Sequence, residues 1–200
     1  HIEFQIMADG QGHVIQLGDR DCSIQRRNQK LLEEAPCHIL KEDVREHLLR
    51  DAVRAAESVG YDSVGTIEFL LDARGEYYFM EMNTRIQVEH TISEEICGID
   101  LIKQQIRIAD GHKLAYRQED IVCRGHAIEC RINAENIKYN FAPSPGQVSF
   151  INFPLGRRVR IESAVYNDYK IPPYYDSMIA KIITYADTRL ECIKRMRSAL

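Results

Sequence analysis

Long apolar segments are missing from this sequence. No run of about 18 apolar residues occurs, which is the minimum for a membrane-spanning helix, and the first residues show no signal-peptide pattern. The sequence therefore predicts a cytoplasmic protein without a membrane partner.

Paired cysteines are also missing. No Cys-x-x-Cys motif occurs, and nothing in the sequence indicates secretion. We expect reduced thiols here, with disulfides or zinc ligation as the less favoured alternative. The six cysteines are Cys22, Cys37, Cys97, Cys123, Cys130 and Cys192.

An excess of positive charge is absent as well. The chain has 26 Lys and Arg against 30 Asp and Glu, a net charge of -4. This balance argues against a nucleic-acid partner held by phosphate contacts. No internal repeat or low-complexity segment is visible. With 200 residues, 44% hydrophobic and 28% charged, the chain can form one packed domain or two small ones.

The stretch Tyr77–His90 alternates between polar and apolar residues. If it is extended, its side chains point alternately to two faces. At about 3.3 Å per residue the polar row would span roughly 27 Å, enough for a nucleoside triphosphate and a second substrate. The alternative is a half-buried strand whose polar face meets water. The polar row is Glu81, Asn83, Arg85, Gln87 and Glu89, and the apolar row is Met80, Met82, Ile86 and Val88.

Two carboxylates are predicted to face each other beside this row. Glu68 lies in the apolar run Val64–Leu71, and the turn at Asp72–Gly75 would fold that strand antiparallel to the next, beside Glu81. Two carboxylates at ~4 Å repel by about 4 kcal/mol at an effective dielectric of 20, so they require a cation. Together with Asn83 they form an all-oxygen ligand set that suits Mg²⁺ or Mn²⁺.

These residues resemble a known active site. Glu81–His90 (EMNTRIQVEH), preceded by Gly65–Phe69 (GTIEF), is similar to the ATP-grasp active site of biotin carboxylase, which carboxylates biotin in acetyl-CoA carboxylase and related carboxylases. The resemblance covers essentially the whole chain. Its other motifs are Asp21–Arg27 (DCSIQRR), Arg124–Glu135 (RGHAIECRINAE) and Pro172–Met178 (PPYYDSM).

The resemblance implies an α+β fold in two regions. Residues 1–115 would be the C-terminal part of an ATP-grasp domain, and residues 116–200 a truncated, β-rich biotin carboxylase C-terminal domain. The chain starts at His1 and ends within a predicted helix, so we expect a piece of a longer protein. The glycine-rich lid of the family has no counterpart here, so we expect these residues alone to turn over no ATP.

The resemblance also implies roles for single residues. ATP would phosphorylate bicarbonate to carboxyphosphate, which decomposes to CO₂ and phosphate beside biotin N1. Glu89 would be the general base, and Arg131 would stabilise the enolate form of biotin. The metal ligands would be Glu68, Glu81 and Asn83; the ATP contacts His1, Asn28, Glu68 and Glu81; and the bicarbonate ligands Lys30, Arg85, Gln87 and the Val88 backbone N–H.

Three positions leave alternatives open. Asn28 stands where the family commonly has His, so the nucleotide contact there is an open question. The basic run Arg26–Lys30 is also typical of a solvated loop. Arg131 could form a structural ion pair with Glu129 or Glu135 instead of contacting biotin.

The partners follow from what the chain does not contain. No Met-Lys-Met biotin-attachment motif occurs, so biotin must arrive on a carrier domain or protein. The resemblance further implies a carboxyltransferase partner and a homodimer in the full-length protein. One alternative is another ATP-grasp ligase, such as the carbamoyl phosphate synthetase large subunit; Arg85–His90 and Arg131 argue against it. A non-catalytic assembly module is the other.

Periodicity predicts the remaining elements. The strands are Ile2–Met7, Val14–Leu17, Gly125–Asn133, Gly146–Phe153, Val159–Val165 and Met178–Tyr185. One helix buries Val44, Leu48, Ala52, Ala55 and Val59 and packs behind the Glu68 hairpin. A second, Asp100–Ala109, presents Ile102, Ile106 and Ala109 on one face. A capping box at Thr188–Glu191 opens a last helix carrying Leu190, Ile193 and Leu200.

Overall fold

The computed structural model describes residues 1–200 and centres on an eight-stranded antiparallel sheet with the order β10-β12-β6-β3-β2-β1-β4-β5. The helices are α1 (Glu42–Ser58), α2 (His90–Cys97), α3 (Leu101–Ala109) and α4 (Arg189–Ala199). The strands are β1 (Ile2–Ala8), β2 (Val14–Arg26), β3 (Gln29–Ala35), β4 (Ser63–Leu71), β5 (Tyr77–Asn83), β6 (His126–Asn133), β7 (Glu135–Asn136), β8 (Ala142–Pro143), β9 (Gly146–Gln147), β10 (Val159–Glu162), β11 (Lys170–Ile171) and β12 (Met178–Ala186).

Strand β1 separates an apolar layer from a charged one. Ile2, Phe4 and Ile6 pack against Leu48 and Ala52 of α1, on one face of the sheet. Because side chains alternate along a strand, Glu3 and Gln5 point to the other face, where both are fully buried. The prediction that α1 packs behind the Glu68 hairpin is confirmed, since Ile67 and Phe69 of β4 belong to the same apolar cluster.

Helices α2 and α3 cover the opposite face of the sheet. Met7 of β1 packs against Leu101 and Ile108 of α3, and Ile92 and Ile96 of α2 pack against strands β3, β6 and β12. Helix α4 closes the far end through Cys192 and Met196. The Thr188 hydroxyl accepts the Glu191 N–H at 3.4 Å, which confirms the N-cap half of the capping box predicted at Thr188–Glu191.

The predicted extended strand Tyr77–His90 is wrong beyond Asn83. Strand β5 ends there, residues 84–89 form an irregular loop, and α2, which the alternation did not predict, begins at His90. The physical reason is charge burial: Glu89 is 2% exposed, and the cations that stabilise it lie on β3 and β6 near the middle of the sheet, away from the edge strand. Met80, predicted to face the core, is 45% exposed at this edge.

Three helix faces also differ from the predictions. In α3 the buried residues are Leu101, Gln104 and Ile108, while Ile102 and Ile106 are exposed. The apolar sector of this nine-residue helix is broad, and packing on β4 buries its Leu101 and Ile108 edge. The other two corrections concern residues at or near helix ends. Val59, predicted to lie on the buried face of α1, is beyond the end of that helix and is exposed. Leu190 and Leu200, predicted as apolar residues of the last helix, are also exposed.

Two predicted strands are shorter than expected. Only Gly146–Gln147 of Gly146–Phe153 pairs with another strand, and β10 ends at Glu162. The six cysteines are free thiols. No helix is both long enough and apolar enough to cross a membrane.

Candidate active site

A cavity of about 240 Å³ lies where the two halves of the chain meet. The β2–β3 turn, the 84–89 loop, β6 and the segment before β12 surround it. Most of its lining is polar or charged. The lining residues are Asn28, Gln29, Lys30, Arg85, Gln87, Val88, Glu89, Arg131, Asn133, Asp176 and Met178.

Glu89 lies between two cations in this cavity. Its Oε1 accepts a hydrogen bond from Lys30 Nζ at 2.7 Å, and its Oε2 accepts one from Arg131 Nη2 at 3.0 Å. Burial disfavours the carboxylate form, but the charges of Arg20, Lys30 and Arg131 outweigh burial and lower the pKa of Glu89 to about 2. Glu89 is therefore ionised and accepts hydrogen bonds at neutral pH.

Lys30 connects three carboxylates. Its ammonium donates to Glu3 and Glu89 and lies 3.3 Å from Glu68 Oε1. Burial opposes its charged form, but the carboxylates of Glu3 and Glu89 raise the pKa of Lys30. The solvated-loop interpretation of the basic run is wrong for Lys30, whose side chain is only 14% exposed. It holds for Arg27, which is exposed at the β2–β3 turn.

The predicted carboxylate pair is confirmed. Glu68 and Glu81 are direct partners in the β4–β5 ladder, and Asn83 Nδ2 donates to both, at 2.8 and 3.1 Å. His1 Nε2 lies 2.6 Å from Glu68 Oε2. Burial opposes ionisation of Glu68, but the hydrogen bond from His1 and the charge of Lys30 lower its pKa to about 2.

This cluster fits a hard divalent cation. Its oxygen donors are two carboxylates and one amide, the ligand chemistry that Mg²⁺ and Mn²⁺ prefer. Glu68 is ionised, and Glu81 is exposed to solvent, where water and phosphate oxygens can complete a coordination shell. Glu68, Glu81 and Asn83 could therefore hold such an ion.

Arg131 pairs with residues that the sequence did not indicate. Its guanidinium contacts Glu33 Oε1 at 2.7 Å and Glu89 Oε2 at 3.0 Å. The predicted alternative partners, Glu129 and Glu135, are wrong: Glu129 accepts from Thr91 and lies near Lys181, and Glu135 pairs with Arg26. Burial opposes the charged form of Arg131, but Glu33 and Glu89 raise its pKa.

The remaining predicted residues line the cavity and differ in their exposure and hydrogen bonding. Arg85 is exposed, and its Nη1 donates only to the Ile86 carbonyl, at 3.2 Å, so its guanidinium is available to a ligand. The Gln87 side chain is buried, donates to Glu68 at 2.7 Å and accepts from Arg20 at 2.9 Å. Asn28 lines the cavity from the turn, in the left-handed region at φ +64°.

Arg20 is the most buried cation, and the sequence interpretation missed it. It is 0% exposed and donates to Glu3, Gln5, Thr66, Gln87 and Ser93 at 2.5–3.3 Å. A signal existed in Glu3 and Gln5, which interrupt the otherwise apolar strand β1. Buried polar groups need a cation to compensate them, but they do not indicate at which position in the sequence that cation lies.

A second missed feature is a pair of buried acids, Glu33 and Glu129, opposite each other on β3 and β6. Each leaves one carboxylate oxygen, Glu33 Oε2 and Glu129 Oε1, without a hydrogen-bond partner. Burial raises the pKa of both groups, although Arg131 acts in the other direction on Glu33 and Lys181 on Glu129. The uncompensated oxygens favour a proton on this pair at neutral pH.

Comparisons with protein families match both halves of the chain. Residues 1–117 match the family described as "Carbamoyl-phosphate synthase L chain, ATP binding domain". Residues 129–200 match the family described as "Biotin carboxylase C-terminal domain".

Curated relatives match over the whole chain. A protein named biotin carboxylase from Nostoc sp. is 58% identical over 200 residues, which are 100% of this chain and 45% of the relative. A pyruvate carboxylase subunit from Methanothermobacter thermautotrophicus is 57% identical over 200 residues, which are 100% of this chain and 40% of the relative. This chain thus spans less than half the length of these relatives.

Solved structures match equally well. The biotin carboxylase domain dimer of Hydrogenobacter thermophilus 2-oxoglutarate carboxylase, in complex with MgADP, ADP and bicarbonate, has a TM-score of 0.96 and 54% identity, covering 99% of this chain and 44% of that one. The biotin carboxylase from Campylobacter jejuni in complex with β,γ-ATP has a TM-score of 0.95 and 50% identity, covering 99% and 44%.

Proposed function

Because this chain belongs to the biotin carboxylase family, we propose that the protein carboxylates carrier-bound biotin, using ATP and bicarbonate. The observation that carries the proposal is the cavity in which Glu89 lies between Lys30 and Arg131, with Arg85 unpaired at its wall. One half of the chain supplies Lys30, Arg85 and Glu89, and the other supplies Arg131. We place the boundary between the regions at residues 115/116.

The bicarbonate site comprises Lys30, Arg85, Gln87, the Val88 N–H and Glu89. Arg85 presents a planar fork that can bind a carboxylate-like anion through two hydrogen bonds. A bicarbonate anion entering here shares Lys30 with Glu89. Losing part of that compensation raises the basicity of Glu89, which then takes the bicarbonate proton.

The nucleotide site lies at the β4–β5 end of the same face. Glu68, Glu81 and Asn83 would hold Mg²⁺ or Mn²⁺, which offsets the negative charge of the phosphates when it is bound. His1 and Asn28 complete the proposed contacts to ATP. His1 orients Glu68 through the 2.6 Å contact between their side chains. The proposed nucleotide contacts and the proposed metal ligands therefore belong to one hydrogen-bond network.

Arg131 acts at the biotin end of the cavity. Phosphorylation of bicarbonate yields carboxyphosphate, which decomposes to CO₂ and phosphate next to biotin N1. As N1 loses its proton to the phosphate released beside it, negative charge develops on the ureido oxygen, and the Arg131 guanidinium stabilises it. Glu33, at 2.7 Å, holds the guanidinium in place meanwhile.

The proposal extends to the assembly and its acceptor. We assign biotin delivery to a carrier domain or protein, the second half-reaction to a carboxyltransferase, and the functional form to a cytoplasmic homodimer. We take acetyl-CoA as the acceptor, as in fatty acid biosynthesis. Pyruvate and 2-oxoglutarate are the alternatives, because relatives named for them are about as similar. Assaying carboxylation of the three acceptors by the complete assembly decides between them.

Carbamoyl phosphate synthesis is not favoured, although residues 1–117 match the family named for it. Residues 129–200, which carry Arg131, match the biotin carboxylase C-terminal domain. A non-catalytic module is disfavoured by the buried, converging charges, which a surface strand would not need.

The test is to measure ATP cleavage by the full-length protein with Mg²⁺, with and without bicarbonate and biotin. We expect two results. ATP cleavage should depend on bicarbonate, and biotin should become carboxylated at nitrogen. ATP-dependent formation of carbamoyl phosphate from bicarbonate would support the ligase alternative. The absence of a nucleotide-dependent Mn²⁺ site and of any ATP cleavage would support the non-catalytic one.

A further inference from the structure

Lys181 is a buried cation in the C-terminal half of the chain, and its side chain contacts the N-terminal half. It lies on β12, is 6% exposed, and its Nζ donates to the backbone carbonyl of Val88 in the 84–89 loop. The same ammonium lies 3.4 Å from Thr91 Oγ1, 3.1 Å from Glu162 Oε2 and 3.7 Å from Glu129 Oε2.

The backbone carbonyl of Gln87, the residue before Val88, is also held by hydrogen bonds. The Gln87 carbonyl accepts a hydrogen bond from His90 Nδ1 at 2.8 Å and one from the His90 N–H at 3.3 Å. In a trans peptide unit the C=O and N–H point in opposite directions. Holding the Gln87 carbonyl therefore directs the Val88 N–H away from His90, and holding the Val88 carbonyl directs the Glu89 N–H.

Together, the two contacts fix both peptide planes that flank Val88. The loop has no strand or helix ladder of its own to do this, because β5 ends at Asn83 and α2 begins at His90. Val88 and Glu89, the residues that these two peptide planes join, both line the cavity.

We propose that Lys181 is a positioning residue for the anion site, which holds the Val88 peptide so that the Val88 N–H and the Glu89 carboxylate converge on bicarbonate. This inference rests on the proposed function. It assigns to the C-terminal half a second contribution besides Arg131, made through the backbone and without touching the substrate.

A purely structural role would be to compensate buried acids. Each acid near Lys181 has another partner: Glu162 pairs with Arg160, and Glu129 accepts from Thr91. The Val88 carbonyl, in contrast, has Lys181 as its donor. A charge-compensating lysine would affect the fraction of folded protein, whereas a positioning lysine would affect affinity for bicarbonate.

The experiment compares Lys181→Met with wild type in bicarbonate-dependent ATP cleavage by the full-length protein. We expect the KM for bicarbonate to rise by about tenfold or more, equivalent to about 1.4 kcal/mol, and the KM for ATP to change less than about twofold. Lys170→Met is the matched control: Lys170 is an exposed lysine of the same region, and its substitution should change neither constant.

Partial unfolding lowers the apparent kcat but leaves KM unchanged, because only folded molecules turn over. A Lys181→Met protein with normal KM for bicarbonate would therefore overturn the inference while leaving the proposed function intact. If that variant does not fold, Lys181→Arg decides, since it keeps the cation but cannot place it identically: a raised KM for bicarbonate supports the inference and an unchanged one refutes it. Wild-type protein without bicarbonate-dependent ATP cleavage would refute the proposed function as well.

Discussion

At Glu89 two cations from opposite halves of the chain share one buried carboxylate. Lys30 and Arg131 hold its two oxygens at 2.7 and 3.0 Å and keep its pKa near 2. Such pairing makes Glu89 a weak base while the cavity contains no anion. If Glu89 is the base that we propose, its activity depends on bicarbonate drawing Lys30 away, which would couple proton abstraction to substrate binding.

The two residues Glu89 and Arg131 should separate the half-reactions. In the full-length protein, Glu89→Gln should abolish both bicarbonate-dependent ATP cleavage and biotin carboxylation, because both need deprotonated bicarbonate. Arg131→Gln should lower biotin carboxylation by on the order of 10² to 10³, about 2.7–4 kcal/mol, and ATP cleavage much less, since its charge acts on the later transition state. Both activities are measured for both variants.

A thermal melt is the control for Arg131→Gln, because this change leaves Glu33 without its ion-pair partner and leaves Glu89 with Lys30 alone on its carboxylate side chain. If the variant melts normally but loses both activities in equal proportion, Arg131 does not act on biotin.

Asn28 allows a test at the nucleotide end. It sits at φ +64°, a conformation that histidine also tolerates better than most residues, so Asn28→His should fold. If the position faces the nucleotide, the histidine should lower the KM for ATP by up to about tenfold, the value of one hydrogen bond of about 0.5–1.5 kcal/mol. An unaltered KM for ATP would remove position 28 from the nucleotide site.

At the scale of elements, the end of β5 decides the geometry of the site. A strand continuing to His90 would carry its polar row along the sheet edge. The chain instead leaves the sheet after Asn83, so that Gln87 and Glu89 become buried beside β3 and β6. Helix α1 stabilises the other side of the same sheet through a face centred on Leu48 and Ala52.

Two substitutions, one in α1 and one at the residue that follows it, test which residues this helix buries. Leu48→Ala should lower the free energy of unfolding by about 2–5 kcal/mol, because Leu48 is 0% exposed and truncation leaves a cavity. Val59→Ala should change it by less than about 0.5 kcal/mol, because Val59 is 66% exposed. Urea denaturation of both variants measures the difference, and equal effects would contradict this packing of α1.

At the scale of the whole molecule, both regions share one sheet through the β3–β6 pairing. Glu34 on β3 reinforces this seam, accepting from His126 Nε2 at 2.7 Å and from Arg189 Nε at 2.6 Å. Burial opposes its ionisation, but these hydrogen bonds lower the pKa of Glu34 to about 2. The contact therefore connects the last helix and β6 to the ATP-grasp half.

This shift predicts a pH-dependent contribution to stability. The folded-state pKa lies below the unfolded value of about 4.3, so the contribution is complete above that pH and disappears as the pH falls towards 2. Glu34→Gln should destabilise the protein by roughly 1–3 kcal/mol at pH 7 and progressively less below pH 4.3. Urea unfolding of both proteins between pH 3.5 and 7 measures this; a constant difference would contradict the ion pairing of Glu34.

By itself, the sequence determined the family, the α+β class, the Glu68–Glu81 pair and α1. These depend on local motifs, on periodicity and on a turn of a few residues, all of which act over short separations along the chain. Only the tertiary structure decided that Lys30 and Arg131 meet at Glu89, that Arg20 compensates Glu3, and that Lys181 reaches Val88. A buried charge requires a partner, but strand order and register select which one, and these arise from packing between distant segments.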